Sequence, residues 1–404
     1  MSVLRDRQVV LGVTGSVACY KAADLASKLV QQGANVDVVM TDAAREFITP
    51  FTFRALTGRL VFTNMFEPVT DLAEEHVEVA RRADIVVIAP ASATTLARLA
   101  HGLADDFLAL TVLATKAPVL IAPAMDSNMW EAAATRANVE LLRSRGFSFV
   151  GPAEGRLASG RMGTGRLAEV ADILGAIVVE LAKRGDLAGR RIVVSAGGTR
   201  EPIDPVRFIS NRSTGKMGFA VAEAARDRGA EVTLITTTRA LPIPYGVKVV
   251  DVSTVAEMRR AVLEATEDAD VLVMAAAVSD FRPAEVAAEK IKKREGGLVL
   301  ELRENEDFFH EVPDRVIKVA FAAETQDVVA NARLKPLSHG HLDLICANDV
   351  SAEDSGFAVD TNRVTILDAE GGVEELPLLT KYEVAHRILD RVVGLLASRS
   401  PEKA

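Results

Sequence analysis

An apolar run, a glycine turn, an amphipathic helical stretch, a second glycine and another apolar run follow one another in QVVLGVTGSVACYKAADLASKLVQQGANVDVVMT (Gln8–Thr41). That order constrains the fold more than any other feature, because it is the βαβ pattern of a parallel sheet. Two further apolar runs, ADIVVIAP and APVLIAPA, continue the pattern, and the second half of the chain repeats it. There RIVV opens a new series, DRGAEVTLIT echoes QQGANVDVVMT, and ADVLVMAAAVSD echoes ADIVVIAPAS. The expected fold class is α/β, two doubly wound units with mainly parallel sheets. A closing helix in ADILGAIVVELA and a short polar connection around Arg184–Arg190 set the expected domains at 1–183 and 184–404.

A chain of 404 residues, 49% hydrophobic and 25% charged, is long enough for two full cores. Its formal charge of −9 argues against a nucleic-acid partner, so an anionic ligand needs locally gathered cations. The two cysteines, Cys19 and Cys346, sit in apolar context, which suits free thiols in a reducing compartment. The start runs straight into a strand with no signal peptide, and no apolar run approaches the ~20 residues of a membrane span. A cytoplasmic protein with no membrane partner is expected.

In doubly wound folds ligands sit at strand ends. The turn holding Gly12, Gly15 and Ser16 reads either as a phosphate cradle or as a merely tight turn. PASATT (Pro90–Thr95) and PAMDSNMW (Pro123–Trp130) are expected to line one crevice, and His76 precedes the strand that ends at the first of these. In the second half, SAGGTREPIDPVRFISNRSTGKMG (Ser195–Gly218) is an unusually long irregular link between a strand and its helix. Its glycines, its cations Arg200, Arg207, Arg212 and Lys216, and Ser213 and Thr214 near the helix start suit an anion site. It is not a Walker A loop, since Ser210 and Met217 stand where glycine and a hydroxyl residue are needed, and GxGxxG is absent. Asp280 ends a strand beside small residues, where it reads as a ribose or metal contact or as a strand terminator. EKIKK, read as a strand, would point Lys290 and Lys292 to one side, as a triphosphate would require.

As a whole, the Ser195–Gly218 segment resembles the signature of the phosphopantothenate–cysteine ligases, and AAAVSDFRP, EKIKK, FAAET and ANDV follow in that family's order. HVEVARRADIVVIAPASATTLARLAHGLADD with APAMDSNMW, over about residues 7–170, resembles the homo-oligomeric flavin-containing cysteine decarboxylases. The resemblance implies two Rossmann-like domains. The first would bind FMN through Gly15, Ser16, Thr41, Phe47, Ser92, Thr95, Ala124 and Met125, with His76 as base. The second would bind CTP through Gly197, Gly198, Ser213, Gly215, Lys216, Met274, Ala275, Ala276, Asp280, Asp307, Phe308, Phe321, Lys335 and His339. Asn211 would hold the acyl intermediate with Arg207 nearby, Lys290 would contact the triphosphate, and Asp280 the Mg²⁺. The substrates implied are 4′-phosphopantothenate, L-cysteine and CTP. The assembly implied is a homo-oligomer of trimeric decarboxylase and dimeric ligase contacts, a dodecamer when both close, with sites completed across subunits.

Two positions depart from the family. Asp126 stands where asparagine is usual, and Ser159, in the Gly-rich flap GRLASGRMGTGRL, stands where many members have a proton-donating cysteine. A desolvated Asp126 with a raised pKa is the expected donor in its place. Two other readings stay open: a flavin-binding scaffold that is not catalytic, beside an active ligase, and a two-domain nicotinamide dehydrogenase.

Overall fold

The computed structural model describes residues 3–66, 74–293, 298–324, 342–349 and 356–399. The chain divides into two compact units, Met1–Ala182 and Lys183–Ala404.

In the first unit β1 (Gln8–Val13), β2 (Asn35–Met40), β3 (Val61–Phe62), β4 (Ile85–Ala91), β5 (Val119–Pro123) and β6 (Ser148–Phe149) form one sheet in the order β3-β2-β1-β4-β5-β6. All of its pairings are parallel. Strands buried on both faces read as continuous apolar runs, and β4 is buried along its whole length for that reason. The helix Cys19–Gln31 connects β1 to β2. It begins three residues beyond Ser16, whose Oγ accepts from Ala18 N at 3.2 Å within the turn. A separate antiparallel hairpin, β7 (Ala153–Arg156) with β8 (Met162–Arg166), carries the flap, and the helix Val170–Ala182 closes the unit.

The second unit repeats the strand order. β9 (Arg191–Ala196) is followed by a small hairpin, β10 (Arg200–Pro202) with β11 (Phe208–Ser210). The link from β9 to the helix Lys216–Asp227 is therefore not irregular throughout, as its turn-rich composition suggests; Arg200 to Ser210 pair across a turn. Then come β12 (Glu231–Thr236), β13 (Lys248–Asp251), β14 (Val271–Met274), the hairpin β15 (Phe281–Pro283) with β16 (Leu302–Glu304), β17 (Ile317–Glu324), β18 (Leu344–Asp349), β19 (Thr361–Asn362), β20 (Val364–Asp368), β21 (Val373–Glu375) and β22 (Leu379–Thr380). The main sheet runs β13-β12-β9-β14-β17-β18-β20-β21, parallel up to β18 and antiparallel at its last two pairings. Successive side chains of a strand face opposite ways. Ile192 and Val194 accordingly join the core under the helices Lys216–Asp227 and Lys381–Arg399, while Val193 joins the core under Val255–Thr266.

In each unit the chain leaves the first strand on one side and later returns on the other. The order reverses between β1 and β4, and again between β9 and β14, and this reversal opens a crevice at the strands' carboxyl ends.

Candidate functional sites

Hydrogen bonds lace the two strand ends together at each reversal. In the first unit Thr14 Oγ1 donates to Pro90 O at 2.8 Å and accepts from Ser92 N at 2.9 Å. Ser92 Oγ caps the helix Ala93–His101 by accepting from Thr95 N, which spends both residues' polar groups at that helix start. In the second unit Ser195 Oγ accepts from Ala276 N at 3.1 Å, Gly197 O from Ala277 N at 2.8 Å, and Thr199 Oγ1 from Ser279 N at 2.9 Å. Gly197 (φ +90°) and Gly198 serve this lacing, since a side chain on Gly198 would stand 2.8 Å from the Asn211 carbonyl oxygen.

A cavity of about 500 Å³ opens beside the first reversal. It brings together Ser16, Ala124, Met125, Asp126 and Ser159, while Gly15, Thr41, Phe47, His76, Ser92 and Thr95 do not line it. His76 lies in the first turn of the helix Glu75–Arg82 and meets the Phe107 ring edge-on, centroids 6.2 Å apart. Thr41 follows directly on β2 beside the end of β1, its N–H donating to Val13 O at 3.1 Å; its Oγ1 is buried with no hydrogen-bond partner. A side chain on Gly15 would meet Ala43 Cβ at 2.7 Å. An orphaned hydroxyl next to a turn with room only for hydrogen fits a phosphorylated group such as the expected flavin. Phe47 is 55% exposed on the same turn region.

Asp126 reverses the expected titration. The Ser159 hydroxyl donates to its Oδ2 at 2.8 Å, and Asn128 N donates to Oδ1 at 3.1 Å. The Ser159 hydrogen bond first, then the Asn128 N–H, holds the carboxyl below the usual carboxylate range, against a smaller effect of burial. A carboxylate accepting from both oxygens is stabilised in its charged form, so Asp126 is an acceptor and not the protonated donor expected.

The second unit's large cavity, about 640 Å³, lies past β14. Asn211, Met274, Ala276, Asp280, Asp307, Phe308 and Phe321 converge on it. A smaller cavity of about 70 Å³ adjoins the helix start with Ser213, Gly215, Lys216, Ala275 and Ala276. Asn211 Nδ2 donates to Ala277 O and Val278 O, both at 3.3 Å. Lys216 Nζ pairs with Asp360 at 2.7 Å.

Two expectations change here. Residues 290–293 form no strand, so the alternation of EKIKK does not align Lys290 with Lys292; Lys290 is exposed and lines neither cavity. Arg207 is not a loose cation: its Nε and Nη2 fork onto Asp204 Oδ2 at 3.0 and 2.6 Å, and Nη2 also donates to Ile291 O at 2.5 Å. Asp204 is pushed up by burial, yet the N–H groups of Val206, Arg207 and Ile291, with the Arg207 fork, hold it well below the carboxylate range. Lys335 and His339 fall outside the described residues. Among the described residues no group of three or more His, Cys, Asp or Glu could hold a metal ion. The large cavity is lined by three carboxylate residues, Asp280, Glu306 and Asp307, oxygen donors that would suit a Mg²⁺ keeping its waters and taking its other ligands from substrate phosphates.

The sequence reading missed Ser279, which lines the large cavity at 5% exposure with its Oγ unpartnered. It also missed Lys21, Arg156 and Arg166, which line the first unit's cavity. The signal was available for Lys21, which falls in the first turn of the helix after the VTGS turn.

The family model described as "Flavoprotein" matches residues 2–182, and that described as "DNA/pantothenate metabolism flavoprotein C-terminal domain" matches 187–396. The chain is 44% identical over 399 residues to the coenzyme A biosynthesis bifunctional protein CoaBC of Bacillus subtilis (strain 168), covering 97% of this chain and 98% of that one. The protein of the same description from Mycobacterium bovis is 45% identical over 413 residues, covering 98% of each chain. That from Escherichia coli (strain K12) is 43% identical over 397 residues, covering 96% of this chain and 97% of the relative.

Proposed function

This chain belongs to the family of coenzyme A biosynthesis bifunctional proteins, and from that premise we propose that it performs two successive reactions. The second unit condenses 4′-phosphopantothenate with L-cysteine. The pantothenate carboxylate attacks the α-phosphorus of CTP and expels pyrophosphate; the cysteine amine then attacks the acyl carbon and expels CMP. Small residues at Ala276 and Ala277, with Phe308 and Phe321 across the cavity, leave room for a flat base. Asp280 contacts the ribose or the Mg²⁺, Lys290 approaches the phosphates, and Asn211 turns its amide toward the acyl intermediate, where a fixed donor stabilises developing charge. Arg207 acts by holding Ile291, and with it the segment that carries Lys290.

The first unit decarboxylates the product to 4′-phosphopantetheine. When bound, FMN would accept two electrons from the cysteinyl thiol, which makes the adjoining carbon an electron sink for loss of CO₂, and would give the same two electrons back after CO₂ has left, so that the product is again a thiol and the flavin is restored. Ser16, Thr41 and the Ala124–Met125 turn hold the flavin, and His76 removes a proton from the substrate. The proposal includes a cytoplasmic homo-oligomer; among the described residues no helix is long and apolar enough to cross a membrane.

The observation that carries this reading is that part of each motif set lines a cavity at a strand-order reversal, Ser16, Ala124, Met125, Asp126 and Ser159 in the first unit and Asn211, Met274, Ala276, Asp280 and Phe321 in the second. Its test is to supply 4′-phosphopantothenate, cysteine, CTP and Mg²⁺ to the flavin-loaded protein and to follow CMP and CO₂ together. A second reading, an active ligase beside a flavin domain that only scaffolds, is favoured by the charged Asp126, which would repel a substrate carboxylate. CMP without CO₂ from a yellow protein would select it.

A further inference from the structure

Three cations face the first unit's cavity, from elements far apart in the chain. Lys21 lies in the first turn of the helix Cys19–Gln31, Arg156 ends β7 and Arg166 ends β8. We propose that Lys21, Arg156 and Arg166 form an anion subsite that takes the terminal phosphate monoester of the decarboxylase substrate. The inference rests on the decarboxylase reading above.

One carboxylate serves two of these cations. Glu169 Oε2 accepts from Lys21 Nζ at 3.2 Å, and Glu169 Oε1 accepts from Arg166 Nη2. The Lys21 side chain is only 12% exposed, while Arg156, Arg166 and Glu169 reach solvent, so the net positive charge of the cluster is anchored at one shielded ammonium. Burial, and next the Arg166 charge, push the Lys21 ammonium below its ordinary range. A bound anion would relieve both effects. Arg156 adds a further cation with no ion-pair or hydrogen-bond partner among the described residues. The only acid lining the cavity among the described residues is Asp126, whose oxygens already accept from Ser159 and Asn128. The lining thus carries more positive charge than negative, and a phosphate dianion balances it.

The geometry also selects a phosphate over a small carboxylate. Guanidinium groups present paired donors that match phosphate oxygens, and a lysine adds a point charge. Arg166 packs over Gly155, where an added Cβ would stand 3.2 Å from its Nη1, so its guanidinium is steadied across the flap hairpin. Two cations on the flap and one on the helix Cys19–Gln31 mean that a phosphate held by all three ties flap to helix. Phosphorylated substrate would therefore favour the closed flap, and a dephosphorylated one would not.

The flavin carries a phosphate too, and the experiment separates the two sources. Binding of 4′-phosphopantetheine and of pantetheine to the flavin-loaded, full-length protein is measured from the flavin absorbance, beside CO₂ release from the phosphorylated and dephosphorylated cysteine adducts. The wild type should bind the phosphorylated ligand about 100-fold tighter. Arg156→Met with Arg166→Met should cut that affinity about 10- to 100-fold, leaving pantetheine affinity and flavin content unchanged; Arg166→Lys should restore part of it. Equal loss for both ligands, equal wild-type affinities, or loss of flavin from the variants overturns the proposal. Phosphate-selective binding by a wild type that releases no CO₂ would uphold the subsite and overturn the decarboxylase reading instead.

Discussion

Asp126 has its charge set by two donors, and its consequences are the reverse of those of a buried acid. It remains ionised as pH falls below the usual carboxylate range, because Ser159 and Asn128 stabilise the anion. Asp126→Asn removes a negative charge from a cavity meant for anions and supplies an amide donor. It should lower the KM for the decarboxylase substrate roughly three- to tenfold. Ser159→Ala should instead move Asp126 protonation upward, so the acid limb of the decarboxylase profile shifts to higher pH. If Asp126→Asn abolishes CO₂ release at saturating substrate, the residue is a proton carrier after all. Asn211 makes the opposite case. Its amide already faces two carbonyl oxygens, so Asn211→Asp places an anion against them and against the anionic intermediate. CMP formation should fall by ~10²–10³, the usual cost of one such donor, while CO₂ release from supplied adduct continues. Undiminished CMP formation would remove Asn211 from the ligase site.

The flap hairpin and the Asp204 turn show how whole elements are seated. Met125 N donates to Gly165 O at 2.9 Å, and a Cβ on Gly165 would overlap the Met125 carbonyl oxygen. Backbone therefore meets backbone where the flap crosses the strand-end turn, and only glycine permits it. Gly165→Ala should destabilise the first unit by about 1–3 kcal/mol and sharply lower decarboxylation, without changing the ligase rate. Equal decarboxylation by that variant would mean the flap seat is dispensable. In the second unit Asp204 gathers three backbone N–H groups and the Arg207 fork, so one buried carboxylate fixes both the β10–β11 hairpin and residue 291. The Arg207 guanidinium is spent on Asp204 and on the Ile291 carbonyl in this arrangement.

For the whole molecule, each unit exposes large apolar side chains that a monomer would leave in water. Phe51 and Phe66 are 75% and 83% exposed in the first unit, and Phe208 and Phe281 are 52% and 46% exposed in the second. Single exposed aromatics are ordinary on a protein surface, so the expected assembly rests on the family resemblance and these side chains are where its contacts would be sought. Light scattering should report a closed homo-oligomer, a dodecamer if trimeric and dimeric contacts both form. A monodisperse monomer with both activities would contradict that. The sheet and its reversals were legible in RIVV, EVTLIT and ADVLVM, because runs buried on both faces must be apolar and glycines must end the helices between them. The crevice residues at Met125, Ala276 and Asp280 were legible for the same reason, since strand ends follow from strands. Other features were not. Lys21 and Glu169 lie 148 residues apart, Ser159 and Asp126 lie 33 apart, and neither partnership leaves a periodic trace. The alternation in EKIKK even pointed to a strand that the neighbouring Arg207–Ile291 contact does not require. By itself the sequence determined where strands, helices and their turns fall, because burial and backbone preference act over neighbouring residues. Only the tertiary structure decided which charges meet, and therefore which are spent on the fold and which face a ligand, because Coulomb interactions act through space between segments that the chain order leaves unrelated.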